Sequence, residues 1–216
     1  MQEAFERNGI RGVLHRPAEP SGDGLVLTHG AGSDHRAPLL AAVAEAFAES
    51  GCLVLRYDLP FRRERPSGPP HPARAARDRA GVAEAASLLR PLGCARVFAG
   101  GHSYGGRQTA MAATESPALA EALLLLSYPL HPPGKPQQPR IGFFPQWRTP
   151  ALFIHGTADP FGTIEELRAA LSLIPARTEL LAIPSAGHDL KAIIRHPGTA
   201  ADTLRRFFLP REGRSM

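Results

Sequence analysis

The sequence predicts an α/β domain built on a doubly wound, mostly parallel sheet, with helices on both faces and an antiparallel hairpin at its N-terminal end. Three observations predict it. The pair Asn8-Gly9 separates two short stretches, Glu3 to Arg7 and Ile10 to His15, and that dipeptide favours the type I′ turn of a tight hairpin. Short apolar runs without polar alternation follow, as expected of strands buried on both faces. The segments between those runs carry apolar residues at helical spacing.

After a polar turn around Pro20 to Gly24, the runs are Leu25-Val26-Leu27, Leu53-Val54-Leu55, Val97-Phe98-Ala99, Leu123 to Leu126, Leu152-Phe153-Ile154 and Leu180 to Ile183. Leu39, Val43 and Phe47 repeat every fourth residue, as do Leu167 and Leu171, while Leu204, Phe207 and Phe208 mark a stripe on a C-terminal helix. Thr163 and Glu166 have the spacing of a capping box, and Gly51 and Gly93 fall where helices should stop. Two stretches resist a regular element. Pro66 to Pro72 is too rich in proline, and Pro129 to Pro150 holds seven prolines among Phe143, Phe144 and Trp147. The second is expected to form a short lid or wall over a site, being too short for a cap domain.

A length of 216 residues and an apolar share of 43% suit one domain spanning 1–216, with no repeat or linker to divide it. No run approaches the roughly 18 apolar residues of a membrane helix, and the N-terminus has neither a basic start nor an apolar stretch, so a cytoplasmic protein is expected. Cys52 and Cys94 each begin a predicted strand with another strand between them, which argues for reduced core thiols. No histidine pairs with a cysteine at zinc-ligand spacing, so no metal is expected. The formal charge of +5 comes almost wholly from arginine, but these residues lie beside acidic ones without interleaved aromatics; a nucleic-acid partner is not expected.

The chemistry is concentrated after the Val97 run. Gly101-His102-Ser103-Tyr104-Gly105 is a G-x-S-x-G pentapeptide placed between a strand and a helix. Such a turn holds its serine in strained geometry and needs small neighbours, which Gly100 and Gly106 extend. The helix beginning there offers unpaired N–H groups where an oxyanion can develop. A serine hydroxyl needs a base, and the base needs an orienting acid, expected in the chain order serine, acid, histidine. Asp159 follows the Leu152 run and His188 follows the Leu180 run, so both belong on the edge that holds Ser103. His155 precedes the acid, His196 lies beside Pro197, and Glu165 and Glu166 are carried away by their helix, which makes each a weaker candidate. His29-Gly30-Ala31-Gly32 follows the Leu25 run and is expected to supply the second oxyanion donor, Ala31 first and Gly32 in reserve, beside the N–H of Tyr104. A plain tight turn is the competing reading of that loop.

Four runs together resemble a known family. They are Gly100 to Arg107, Arg56 to Arg62, Tyr128 to Lys135 and His155 to Gly162, and they resemble the α/β-hydrolase branch containing the testis-expressed hydrolase-like protein and the third regulatory subunit of the NSL histone acetyltransferase complex. More distantly the chain is similar to dienelactone hydrolases, with Ser103 where those carry cysteine. The resemblance implies the α/β-hydrolase fold without a large cap and the positions Ser103, Asp159 and His188. The loop from Tyr57 to Arg65 should open on the same edge, so Asp58, Arg62 and Tyr128 are expected to line the pocket, an arginine holding a substrate carboxylate. The expected activity is hydrolysis of small or medium acyl esters through an acyl-enzyme, with a small-molecule substrate and no cofactor. A thioesterase or peptidase would use the same residues, and an interaction module without turnover would not need them.

Overall fold

The computed structural model describes residues 1–195, 203 and 206–208; His196 and Leu204, considered above, lie outside the described residues. Strand β1 (Gln2–Arg7) pairs antiparallel with β2 (Ile10–His15), Arg7 opposite Ile10. Asn8 and Gly9 make the turn with φ of 48° and 76°, the two positive values a type I′ turn requires. β2 runs antiparallel to β4 (Leu53–Tyr57). From there the sheet is parallel through β3 (Asp23–Thr28), β5 (Arg96–His102), β6 (Leu123–Leu126), β7 (Ala151–Gly156) and β8 (Thr178–Ile183). The eight strands lie in the order β1-β2-β4-β3-β5-β6-β7-β8.

That order positions the site. The chain leaves β3 for β4 on one side and then returns to place β5 on the other, so the loops after β3 and β5 diverge and open a crevice at the carboxyl edge.

Six α-helices cover the sheet: α1 (Pro38–Glu49), α2 (Pro60–Glu64), α3 (Ala75–Ser87), α4 (Tyr104–Glu115), α5 (Ile164–Leu171) and α6 (Lys191–Arg195), a count made among the described residues. Strand side chains alternate between two cores, as the two-residue period demands. Val26, Leu55, Ala99, Leu125 and Phe153 pack with Val82 of α3, Ala110 of α4 and Leu167 of α5. Leu25, Leu27, Val54, Phe98, Leu124 and Ile154 pack with Leu40, Val43 and Phe47 of α1, Ile193 of α6 and the helical Phe207 and Phe208. Each fully buried leucine or phenylalanine contributes about 1.5–3 kcal/mol.

Thr163 caps α5 in a capping box: its hydroxyl accepts the Glu166 N–H at 3.1 Å, and the Glu166 carboxylate accepts the Thr163 N–H at 2.8 Å. Gly51 follows α1 in left-handed conformation. Gly93 ends a single 3-10 turn, Arg90–Leu92, instead of an α-helix, because α3 has already stopped at Ser87. The Pro129 to Pro150 segment is exposed from Pro133 to Pro139 and walls the core at its ends. Phe144 and Trp147 are fully buried and pack edge-on or tilted against Tyr128 and Phe153. Cys52 and Cys94 are free and buried at the starts of β4 and β5, with β3 between them. Among the described residues, no helix is long and apolar enough to cross a membrane.

Candidate active site

At the end of β5 the chain turns into α4 through Ser103, whose φ of 52° and ψ of −119° are strained for a residue with a side chain. The strain persists because the neighbours leave no other path. A Cβ on Gly101 would stand 2.8 Å from the Gly105 backbone and 2.9 Å from the Thr28 carbonyl oxygen. The first helical N–H with an internal acceptor is that of Arg107, which donates to the Ser103 carbonyl at 3.0 Å, so the N–H groups of Tyr104, Gly105 and Gly106 form the open end of α4. The Tyr104 side chain is drawn off to α3, its hydroxyl donating to Asp78 at 2.7 Å.

The loops after β7 and β8 converge on the serine. They are laced together by Ala158 N–H to the Ala186 carbonyl at 2.9 Å and Ser185 N–H to the Thr157 hydroxyl at 2.9 Å. Gly156 permits this approach, since a Cβ there would meet the Ala186 oxygen at 2.1 Å. The result is an unbroken chain of hydrogen bonds. His188 Nδ1 lies 2.8 Å and 3.0 Å from the two carboxylate oxygens of Asp159, and His188 Nε2 lies 2.8 Å from Ser103 Oγ. A carboxylate only accepts, so Nδ1 carries the proton and Nε2 of the neutral ring accepts from the serine hydroxyl. Burial works to raise the Asp159 pKa, but hydrogen bonds from His188 and from the Phe161 N–H hold it below the ordinary carboxylate value.

Two further residues grip His188. The Phe161 ring stacks on the imidazole at 4.2 Å between centroids and 30° between planes. His102 Nε2 donates to the His188 carbonyl at 2.8 Å, and burial pushes the His102 pKa down to about 4, so it remains a neutral donor. Sequence reasoning missed both, although each stands beside a residue it chose: His102 inside the pentapeptide, Phe161 two positions after Asp159. Apart from Asn8 in the hairpin, the non-glycine residues with positive φ among the described residues are Ser103, Ser127, Ser185 and Leu190, all on loops of this edge.

The loop after β3 borders the serine: a Cβ on Gly30 would stand 3.4 Å from Ser103 Cβ. Arg62 sets its course, donating from Nε to the Ser33 carbonyl at 2.9 Å and from Nη2 to the Ala31 carbonyl at 2.6 Å. It also donates to the carbonyls of Arg65 and Gly68. Here the pocket-lining expectation requires correction. Arg62 is buried and its guanidinium is spent on four backbone carbonyls. Asp58, also buried, accepts from Arg11 and from the His35 N–H, each at 2.9 Å, and lies 2.8 Å from His35 Nδ1. Tyr128 is buried with its hydroxyl donating to the Arg140 carbonyl at 3.1 Å. All three serve the protein's own framework. Glu165 and Glu166 lie in the first turn of α5, Glu166 engaged by Thr163 and His131. His155 is buried with Nε2 donating to the Gly162 carbonyl at 2.9 Å.

Among the described residues, Asp34, His35 and Asp58 have the spacing of a metal-ligand set. Arg36 already pairs with Asp34 and Arg11 with Asp58, and two guanidiniums on those carboxylates oppose a cation there.

The sequence profile of the alpha/beta hydrolase domain family matches residues 22–209. Solved structures share the architecture. A dienelactone hydrolase from Anabaena variabilis superposes with a TM-score of 0.73 at 23% identity, covering 97% of each chain. An α/β serine hydrolase without a lid, from Xanthomonas campestris, gives 0.77 at 18% identity over 98% of this chain and 97% of that one. Est1E from Butyrivibrio proteoclasticus with ferulic acid bound gives 0.76 at 17% identity over 96% and 100%.

Proposed function

The chain belongs to the alpha/beta hydrolase domain family, and on that premise we propose that it is a serine hydrolase of small or medium acyl esters, with Ser103 as nucleophile, His188 as general base and Asp159 as orienting acid. The observation that carries the reading is the continuous hydrogen-bonded chain from Asp159 through His188 to a serine held in strained geometry at a helix N-terminus.

His188 Nε2 takes the Ser103 proton as Oγ attacks the acyl carbon, and the carbonyl electron pair moves onto oxygen. The N–H groups of Tyr104 and Ala31, with Gly32 in reserve, receive that oxyanion. Protonated His188 then gives its proton to the leaving alcohol, leaving an acyl-enzyme that water cleaves with His188 acting as base again. Arg62, by holding the carbonyls of Ala31 and Ser33, keeps the Ala31 loop in place before substrate arrives. The chemistry is completed by protein groups and water. The ester reading is supported by the likeness to a dienelactone hydrolase and to Est1E with its bound ferulic acid. The four sequence runs support placement in the branch of the testis-expressed hydrolase-like protein.

The test is a fluorophosphonate probe on folded protein, beside a series of p-nitrophenyl esters of graded acyl length. Labelling at Ser103, with hydrolysis abolished by that labelling and by Ser103→Ala, is the expected result. Labelling at another serine, or none, would overturn it in favour of a hydrolase-fold interaction module.

A further inference from the structure

Four aspartates are buried among the described residues, and three of them pair with a basic side chain: Asp23 with Arg96, Asp58 with Arg11 and Asp159 with His188. The fourth, Asp78 of α3, is met by two neutral donors instead. One of its oxygens accepts the Tyr104 hydroxyl at 2.7 Å, and the other accepts the Phe61 N–H at 3.0 Å. Burial raises the Asp78 pKa, and these two bonds oppose the rise. A buried carboxyl group without a fixed cation is destabilising unless its hydrogen bonds offset the lost hydration, so the two bonds define its role.

Both donors belong to segments that shape the proposed oxyanion hole. Tyr104 opens α4 and carries one of the two proposed N–H groups, in a first turn that follows a serine of strained geometry. Helix ends fray, and a strained backbone persists only where its surroundings over-determine it. The bond from the Tyr104 phenol to Asp78 ties that turn to α3. Phe61 lies in the first turn of α2, one residue before Arg62. Asp78 holds α2 from one side through the Phe61 N–H, and His29 holds it from another, its Nε2 accepting the Leu59 N–H at 3.1 Å. Arg62 in turn grips the Ala31 and Ser33 carbonyls. The sequence explains the close approach of α3 to α2. Gly81 stands three residues after Asp78 on the same face of α3, and a Cβ there would come within 2.6 Å of Pro60 Cδ. The Phe61 ring joins the two arms, edge-on to Tyr104 at 5.6 Å and tilted against His29 at 5.5 Å between centroids.

We infer that Asp78 is a positioning residue for the oxyanion hole, one buried carboxylate that sets both donors: the Tyr104 N–H through the tyrosine's own side chain, and the Ala31 N–H through α2 and Arg62. The inference rests on the hydrolase reading above and goes beyond it, since it assigns the geometry of the hole to a residue outside the triad. Releasing both donors weakens binding of the oxyanion, which exists only along the reaction, more than binding of the ground-state ester.

Ester kinetics test it, beside the affinity of an alkyl trifluoromethyl ketone whose adduct with Ser103 places an oxyanion in the hole. Asp78→Ala should lower kcat by roughly 10- to 100-fold, the scale of a displaced donor, with KM within about threefold of wild type. Affinity for the ketone should fall with it. Asp78→Asn keeps an acceptor for the Phe61 N–H and should restore part of the loss. Tyr104→Phe should cost less than Asp78→Ala, and adding it to Asp78→Ala should cost little more, because it cuts an arm already released. Asp23→Asn is the control, since it disturbs a buried carboxylate at the amino end of the sheet and should lower Tm while leaving kcat unchanged. Wild-type kcat and ketone affinity in Asp78→Ala would overturn the inference; should that variant not fold, the same result in Asp78→Asn and Tyr104→Phe does so. A loss confined to KM, full multiplication of the two losses in the double variant, or an Asp23→Asn protein equally impaired in kcat would also overturn it. A wild type that turns over no ester defeats the hydrolase reading and this inference with it, whereas an active wild type matched by every variant defeats this inference alone.

Discussion

The carboxyl edge of the sheet holds two histidine–aspartate pairs of the same length. His35 Nδ1 stands 2.8 Å from Asp58 and His188 Nδ1 stands 2.8 Å from Asp159, and both carboxylates are buried. Their surroundings differ. Asp58 also binds the Arg11 guanidinium and the His35 N–H, so its charge is neutralised within the framework. Asp159 has no arginine partner among the described residues; its hydrogen bonds come from His188 and one backbone N–H, with His155 at 3.7 Å. In the proposed reaction its charge is left to stabilise an imidazolium. The far nitrogen of His188 meets a serine hydroxyl, whereas the His35 ring is bonded to no nucleophile among the described residues. On the proposed reading, the pair that does chemistry is the one whose acid is free of fixed cations and whose base has something to deprotonate.

The largest expected effect would break the comparison outright. Ser103→Ala and His188→Ala should each lower kcat by at least about 10⁴-fold, with the double variant little worse than either, since the residues act as a unit. His35→Ala should retain most of the wild-type kcat. Ester hydrolysis under saturating substrate measures this, and losses that multiply in the double variant, or a His35 loss as large as that of His188, would erase the distinction.

The acids sharpen it. Asp159→Asn should cost on the order of 10⁴ in kcat while leaving the fold intact, as in the best-studied serine triad. Asp58→Asn should do the reverse: with Arg11 and His35 deprived of their charge partner, it should lose about 1–3 kcal/mol of stability and far less kcat. Denaturant melts beside kinetics separate the two, and a stable Asp58→Asn protein that is inactive would return Asp58 to the site. Glu165→Gln and Glu166→Gln should change kcat little, since α5 keeps both away from His188.

The smallest effect is in the pH dependence of stability. Burial lowers the pKa of both His15 and His102 to about 4, from an ordinary 6.5. Below pH 6.5 the unfolded chain binds protons that these folded histidines refuse, so their stabilisation is complete above about 6.5 and is lost as pH falls toward 4. Asp58 and Asp159 are both held below the ordinary carboxylate value of 3.8, so their contribution fades only at more acid pH. Tm should fall between pH 7 and 4.5, and His102→Asn should flatten part of that slope. An unchanged slope would mean that the bond from His102 to the His188 carbonyl does not depend on a neutral ring.

Much of this arrangement is legible in the sequence because its signals are local. The Asn8-Gly9 turn, the apolar runs and the strand-to-helix pentapeptide each depend on a few adjacent residues, and the order of Ser103, Asp159 and His188 follows from where strands end. What the sequence does not reveal is which way a polar side chain faces. Asp58, Arg62 and Tyr128 are on loops or strand ends of the right edge, yet each turns inward to satisfy a carbonyl or a cation brought there by distant residues. Phe161 and His102 show the converse, since their contacts to His188 exist only after β5, β7 and β8 are assembled. The end of the Pro129 to Pro150 segment walls the core for the same reason: Trp147 finds Phe153 on β7 and Phe144 finds Tyr128, partners that proline content does not disclose.

Cys52 and Cys94 lie at the opposite end of the sheet from Ser103, at the starts of the strands on either side of β3. Burial pushes the Cys94 thiol up to about 11 and the Cys52 thiol higher still. A thiol so enclosed reacts with an alkylating reagent only when its surroundings open. The protein therefore carries a built-in stopwatch remote from its chemistry: the pace of alkylation times the breathing of the sheet's amino end, while turnover times events at the other.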